Sequence, residues 1–111
     1  NALKVKKIFN DINLVKWNDN CNYDMIINAT SMGLKETDEI KINYISNGKK
    51  KFFFDVIYNP QKTNFLKEAE KNSHRIENGK MMFVYQAHQA FTLWHKMMPI
   101  IDKEVINIIS K

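Results

Sequence analysis

A chain of 111 residues with a net charge of +5, 44% hydrophobic and 26% charged residues has the make-up of one small globular domain. That balance excludes a disordered chain, and three glycines with two prolines exclude collagen-like or Gly/Pro low-complexity sequence. No run of about 18 apolar residues exists to cross a membrane. The positive charge, from lysines scattered apart from Lys49-Lys50-Lys51 and a lone Arg75, lacks the clustering with aromatics of a nucleic-acid footprint.

In chain order, residues 2–9 set Leu3, Val5, Ile8 and Phe9 among lysines, as at the end of an amphipathic helix. Residues 12–17 alternate loosely and predict a short strand, and Asn18-Asp19-Asn20 is turn chemistry. Met25-Ile26-Ile27 is a short apolar run that empties into Asn28-Ala29-Thr30-Ser31-Met32-Gly33, the pattern of a buried parallel strand and a polar loop. Residues 35–51 are polar and irregular, with a helical turn expected near 40–45. Residues 52–58 predict a second buried strand, stopped by Asn59-Pro60. Thr63 is an N-cap, and Phe65, Leu66 and Ala69 mark a helix to about Asn72. Arg75-Ile76-Glu77 is a short extended segment and Asn78-Gly79 a turn. From Lys80 to Met98, the residues Phe83, Ala87, Ala90, Phe91, Trp94 and Met98 share one helical face. After Pro99, Ile101, Val105, Ile108 and Ile109 make a last helix. Strands alternating with helices give an α/β class with a mainly parallel sheet, without repeat or linker, in a single domain over residues 1–111.

Ligands of such sheets sit outside the carboxyl ends of the strands. Asn28-Ala29-Thr30-Ser31 follows a strand at such an end and suits a ribose or phosphate edge, or else caps its own backbone. Val56 and Tyr58 share a face by period two, and the Tyr58 hydroxyl either meets a ligand or tips a core tyrosine at the surface. Gln86 lies one turn after Met82 on the next helix; its amide suits a polyhydroxy acid or plain solvent, and Met82 suits core packing. Gly79 permits a close backbone approach or is an ordinary turn glycine. His88 and His95 stand about 10.5 Å apart along a helix, too far to share a metal, so no metal site is expected. Asp24 and Asp55 read as turn or cap residues that open their strands. The lone Cys21 points to a reducing cytoplasm, and the absence of an initiating Met points to a fragment or a processed product.

Three stretches carry a resemblance: Asp24-Met25-Ile26-Ile27-Asn28-Ala29-Thr30-Ser31-Met32-Gly33, Asp55-Val56-Ile57-Tyr58-Asn59-Pro60-Gln61-Lys62-Thr63-Asn64-Phe65-Leu66, and Asn78-Gly79-Lys80-Met81-Met82-Phe83-Val84-Tyr85-Gln86-Ala87 with Ala90-Phe91-Thr92-Leu93-Trp94. In this order they resemble the C-terminal half of the shikimate dehydrogenase family, over roughly residues 1–98. Two positions depart from the family's pattern: Met81 stands where Gly is usual and Asn78 where Asp is usual.

The resemblance implies the distal half of a Rossmann-like sheet flanked by helices, with C-terminal helices over about 80–111. It implies NADP as cofactor and the interconversion of 3-dehydroshikimate and shikimate in aromatic amino-acid biosynthesis. Cofactor positions are then Asn28, Ala29, Thr30, Ser31, Val56, Gly79, Met81 and Met82, with Met82 in the nicotinamide wall; Tyr58 and Gln86 are substrate positions. No catalytic residue falls in this chain, because the family's Lys–Asp pair lies in a first domain that no stretch here matches. The glycine-rich turn for the pyrophosphate and the basic motif for the 2′-phosphate are also absent. The chain alone is therefore expected to be inactive. Alternatives are a quinate/shikimate dehydrogenase using NAD, or a non-catalytic remnant acting as a binding module. In the doubly wound order 3-2-1-4-5-6, segments 12–17, 24–28, 52–57 and 75–77 stand as strands 3 to 6. The 24–28 strand then has an open apolar edge, to be covered either by the 12–17 segment moving in beside it or by a second copy of the chain, and self-association as a homodimer is the favoured outcome.

Overall fold

The computed structural model describes residues 2–19, 21–45 and 48–109. Its elements are α1 (Ala2–Ile8), β1 (Met25–Asn28), β2 (Phe52–Asp55), α2 (Asn64–Lys71), β3 (Arg75–Asn78), α3 (Lys80–His95) and α4 (Lys103–Ile108). The sheet has the order β1-β2-β3 and is parallel throughout. This is the sequential run that closes one end of a doubly wound sheet, strands 4, 5 and 6 of the order 3-2-1-4-5-6.

The α/β class and the parallel sheet are as the sequence predicts. The strand at 12–17 is not. Residues 12–16 have no regular structure and Lys16 to Asp19 close a turn, with Asp19 N donating to Lys16 O at 3.1 Å. The sheet therefore holds strands 4 to 6 only. Val15 and Trp17 instead stand with Ile26 and Ile27 around a cleft of about 540 Å³ that runs along the outer edge of β1. A strand needs a neighbour's N–H and C=O row, and this segment pairs with none of the three strands.

The helical turn expected at 40–45 is also not formed. Ile40, Ile42 and Tyr44 all pack on the core, a period of two that an extended segment satisfies and a helix cannot. Helix α3 stops at His95 rather than Met98. Lys96 takes the left-handed conformation (φ 53°), and the residue before Pro99 is disfavoured in a helix. Thr63 caps α2 as expected, accepting Leu66 N at 3.4 Å, and Asp102 caps α4 by accepting Val105 N at 3.0 Å.

The core lies on one face of the sheet. Phe53, Phe65, Leu66 and Ala69 are buried at its centre, with Ile26 and Ile76 beside Phe53 on the neighbouring strands. Phe53 is fully buried and meets Phe65 at 5.4 Å, Tyr44 stacked at 5.6 Å and His74 stacked at 4.8 Å between ring centroids. His74 donates through Nε2 to Tyr44 O at 2.6 Å and accepts Lys51 N at Nδ1, which fixes its tautomer. Burial, followed by the Glu68 charge and Tyr23, pushes the Tyr44 hydroxyl up to about 12, and that hydroxyl donates to Ile40 O.

The other face is open. Met25 is 48% and Ile27 51% exposed, although a strand of a doubly wound sheet is expected to be covered on both sides. The face predicted for α3 is open as well. Val84 is the one buried residue of that helix among those described, while Phe91, Trp94 and Met98 are exposed. The periodicity of α3 marks a face that none of the described residues covers.

Candidate functional site at the carboxyl ends of the strands

The three strands end in register on Asn28, Asp55 and Asn78. These residues continue the face that carries Ile26, Phe53 and Ile76, so three polar side chains stand in a row where the apolar core stops. Asp55 therefore closes β2 rather than opening it, as the sequence reading had it. It is fully buried.

A buried carboxylate needs donors, and Asp55 has three. Its Oδ1 accepts Ile57 N at 3.0 Å and Asn28 Nδ2 at 3.1 Å, and its Oδ2 accepts the Thr63 hydroxyl at 2.6 Å. Thr63 thus serves the first turn of α2 and the strand end together. Asn28 is saturated in turn. Its amide also donates to Met32 O at 2.8 Å, and its Oδ1 accepts Thr30 N at 3.1 Å and Thr30 Oγ1 at 2.7 Å. Asn78 donates to Gln61 O at 2.8 Å and accepts Lys80 N at 3.1 Å. The Gln61 bond requires the amide, because an aspartate at this position could not donate it. Among the described residues no buried side-chain polar atom lacks a partner.

Two glycines shape the loops. Gly33 has φ +117° and ends the 28–33 loop, and a Cβ there would stand 3.2 Å from Thr63 Cγ2. Its N–H and that of Lys35 both donate to Asp38 Oδ2, at 3.0 and 3.1 Å; these bonds hold the Asp38 carboxyl below its ordinary range. Gly79 lies against the backbone of Val56. A Cβ at Gly79 would fall 2.0 Å from the Val56 carbonyl oxygen, and its own N–H donates to Ile57 O at 3.2 Å. The close approach at Gly79 is thus to this chain's own backbone, and it ties the start of α3 to the end of β2.

The predicted site residues are distributed around this frame. The side chains of Asn28 and Thr30 are committed inside the loop, while Ala29 and Ser31 are exposed beside them. Val56 is half-buried under Gly79. Tyr58 is half-buried and stacks on Phe83 of α3, 4.7 Å between centroids and 24° between planes. Met81 is half-buried, and Met82 and Gln86 are exposed on α3. Asn28, Val56 and Gly79 are therefore joined through the strand ends, whereas Gln86 is reached only along the helix. The Asp55–Thr63 pair is what sequence reasoning missed. The signal was available, an Asp at a strand end eight residues before a helix cap, but it was hidden by running the strand on to Tyr58. His88 donates to Pro99 O at 2.9 Å and His95 packs on Phe91. Among the described residues no group of three His, Cys, Asp or Glu converges to hold a metal ion, and no helix is long and apolar enough to cross a membrane.

No protein-family model matches the chain. A curated relative, shikimate dehydrogenase (NADP(+)) of Pelagibacter ubique (strain HTCC1062), is 56% identical over 109 residues, which cover 98% of this chain and 41% of the relative. Among solved structures, a chorismate mutase/shikimate 5-dehydrogenase fusion protein from Clostridium acetobutylicum matches with a TM-score of 0.71 and 28% identity, over 99% of this chain and 40% of that one. A shikimate dehydrogenase crystallised in complex with NADP+ matches with a TM-score of 0.60 and 31% identity, over 78% of this chain and 29% of that one. The chain spans about 41% of the length of the curated relative. Identity along nearly the whole chain, together with the shared arrangement of strands and helices, places it in the shikimate dehydrogenase family.

Proposed function

We propose that this chain is the C-terminal part of an NADP-dependent shikimate dehydrogenase that interconverts 3-dehydroshikimate and shikimate. We take it as one domain, the distal half of a Rossmann-like unit with C-terminal helices from about residue 80. The observation that carries this reading is the joining of Asn28, Asp55 and Asn78 at the carboxyl ends of three parallel strands, where a doubly wound sheet takes its ligand. The 56% identity to a named NADP(+) enzyme supports the substrate and cofactor classes.

The residues present fit one end of a dinucleotide. The main chain at Ala29, Ser31 and Val56 would meet its ribose and nicotinamide, with Asn28, Thr30 and Gly79 shaping that backbone. Met81 and Met82, thioethers beside the strand ends, would form an apolar wall for the nicotinamide ring. NADP supplies the hydride chemistry when bound. Tyr58, held on Phe83, and Gln86 would offer a hydroxyl and an amide to the substrate's polar groups. The catalytic Lys–Asp pair belongs to a preceding N-terminal domain in this proposal. The open face of Met25 and Ile27 supports burial against further protein, either that domain or a second copy in a homodimer. The exposed free thiol of Cys21 supports a cytoplasmic setting.

The test is an assay of the complete polypeptide for shikimate-dependent reduction of NADP+, run beside the 111-residue chain alone. Turnover by the complete polypeptide and none by the chain is expected. Turnover by the chain alone, or none by the complete polypeptide, overturns the proposal.

A further inference from the structure

We infer that Asp55 is the positioning residue of this site, a single carboxylate that sets the cofactor loop and the substrate tyrosine in register with each other. The inference rests on the site reading above and concerns a residue that reading leaves unused.

Asp55 is itself neither a cofactor position nor a substrate position of that reading. Through Asn28 Nδ2 at 3.1 Å it holds the side chain from which the 28–33 loop is hung, since Asn28 in turn binds Thr30 N, Thr30 Oγ1 and Met32 O. Through Ile57 N at 3.0 Å it fixes the Val56–Ile57 peptide, one residue before Tyr58, and so the direction in which Tyr58 leaves the strand. Through the Thr63 hydroxyl at 2.6 Å it anchors both to α2, whose Phe65, Leu66 and Ala69 lie in the core. Gly79 N adds a fourth tie, donating to Ile57 O on the same segment. Two loops that would be independent thus share one buried acceptor. Removing that acceptor leaves Ile57 N and the Thr63 hydroxyl without an acceptor and takes one of the two bonds of the Asn28 amide, and both loops must move to find water.

The carboxylate's two oxygens do different work, and this gives the test its conservative variant. In Asp55→Asn the amide oxygen can keep the Ile57 and Asn28 bonds while the NH₂ donates to Thr63 Oγ1, so the geometry survives with the charge removed. Asp55→Ala has no such solution. Thr63→Val is a second, isosteric cut that spares Asp55; it severs the tie to α2 and removes the cap on Leu66 N with it, a loss that the unfolding temperature reads apart from the two dissociation constants.

The experiment measures NADPH binding by nucleotide fluorescence, shikimate binding by calorimetry and thermal unfolding, all on the complete protein. Asp55→Ala is expected to weaken both ligands about tenfold or more, since each loop loses a buried hydrogen bond to a charged group. Asp55→Asn should recover most of that loss, and Thr63→Val should weaken both ligands in the same ratio. Tyr58→Phe, by contrast, should weaken shikimate alone. If Asp55→Ala and Thr63→Val lower the unfolding temperature yet leave both dissociation constants unchanged, Asp55 is structural only and the inference falls. If Asp55→Ala does not fold, Thr63→Val decides by the same two constants. Failure of the wild-type protein to bind shikimate while it binds NADPH would refute the proposed substrate and leave the nucleotide arm to judge Asp55. A wild-type protein that binds neither ligand overturns the functional reading and this inference together.

Discussion

The two faces of the sheet were built to different degrees by the same 111 residues. On one face Phe53, Phe65, Leu66 and Ala69 close a core in which even the polar residues Asp55, Thr63 and His74 are buried and bonded. On the other, Met25 and Ile27 are half exposed, and α3 carries Trp94, 78% exposed, on a face that its periodicity marks as apolar. Both regions have the residues of an interior. The difference is that α2 follows β2 directly in the chain and folds back over β2 and β3, whereas the opposite face has no such neighbour among the described residues. An apolar stripe records that burial occurs, and the location of its partner in the chain decides whether a segment can bury it alone.

The sharpest way to break this comparison is to truncate one residue from each region. Phe53→Ala removes a ring packed against four others and should cost about 3–5 kcal/mol in urea unfolding of the chain. Trp94→Ala, though it deletes a larger side chain, should change stability by no more than about 0.5 kcal/mol. Equal losses would show that α3 is packed in solution. In the complete protein Trp94→Ala should become costly, and the gap between the two measurements locates the face that the rest of the molecule covers.

Gly79→Ala probes the join between the regions. A Cβ would fall 2.0 Å from the Val56 oxygen, backbone against backbone, so no rotamer relieves it, and a loss of about 3 kcal/mol is expected by denaturant titration. A smaller cost would mean that α3 can shift away from β2. Smaller again is Tyr58→Phe, which keeps the stack on Phe83 and removes one hydroxyl. Shikimate binding by the complete protein should weaken by about 0.5–1.5 kcal/mol with NADPH affinity unchanged, and Gln86→Ala should do the same. Equal binding in both variants would remove them from the substrate site.

The mildest perturbation is acid. Asp38 accepts Gly33 N and Lys35 N, and its carboxyl is lowered in the folded state. Its contribution is therefore present above the unfolded value and lost as pH falls through the lower folded one. Amide resonances of Gly33 and Lys35 should shift together, with a midpoint below the ordinary aspartate range. A midpoint at the ordinary value would show that the 33–38 turn is not held in solution.

Much of the fold was legible in the residues because local chemistry settled it. The apolar run Met25-Ile26-Ile27 and the aromatic run at 52–54 marked two strands, and Thr63 before Phe65-Leu66 marked a helix cap. The motif residues of the site were legible through their resemblance to a family, since spacing alone left each of them an equally good structural role. What spacing could not show was the use made of them. Asn28 and Thr30 direct their side chains at each other, and Asp55 ends its strand instead of opening it.

The sequence by itself determined the α/β class, where β1 and β2 lie and the Thr63 cap, because each is written in the alternation of apolar runs, turns and cap residues along a few neighbouring positions. Tertiary structure alone decided three things: that 12–17 is not a strand, that the α3 stripe lies open, and that one buried carboxylate gathers the loops at residues 28, 57 and 63. Each of these depends on which groups meet across long stretches of chain. A strand needs a partner's hydrogen-bond row, an apolar face needs a surface to close on, and a buried charge needs donors; none of these partners lies in the local pattern.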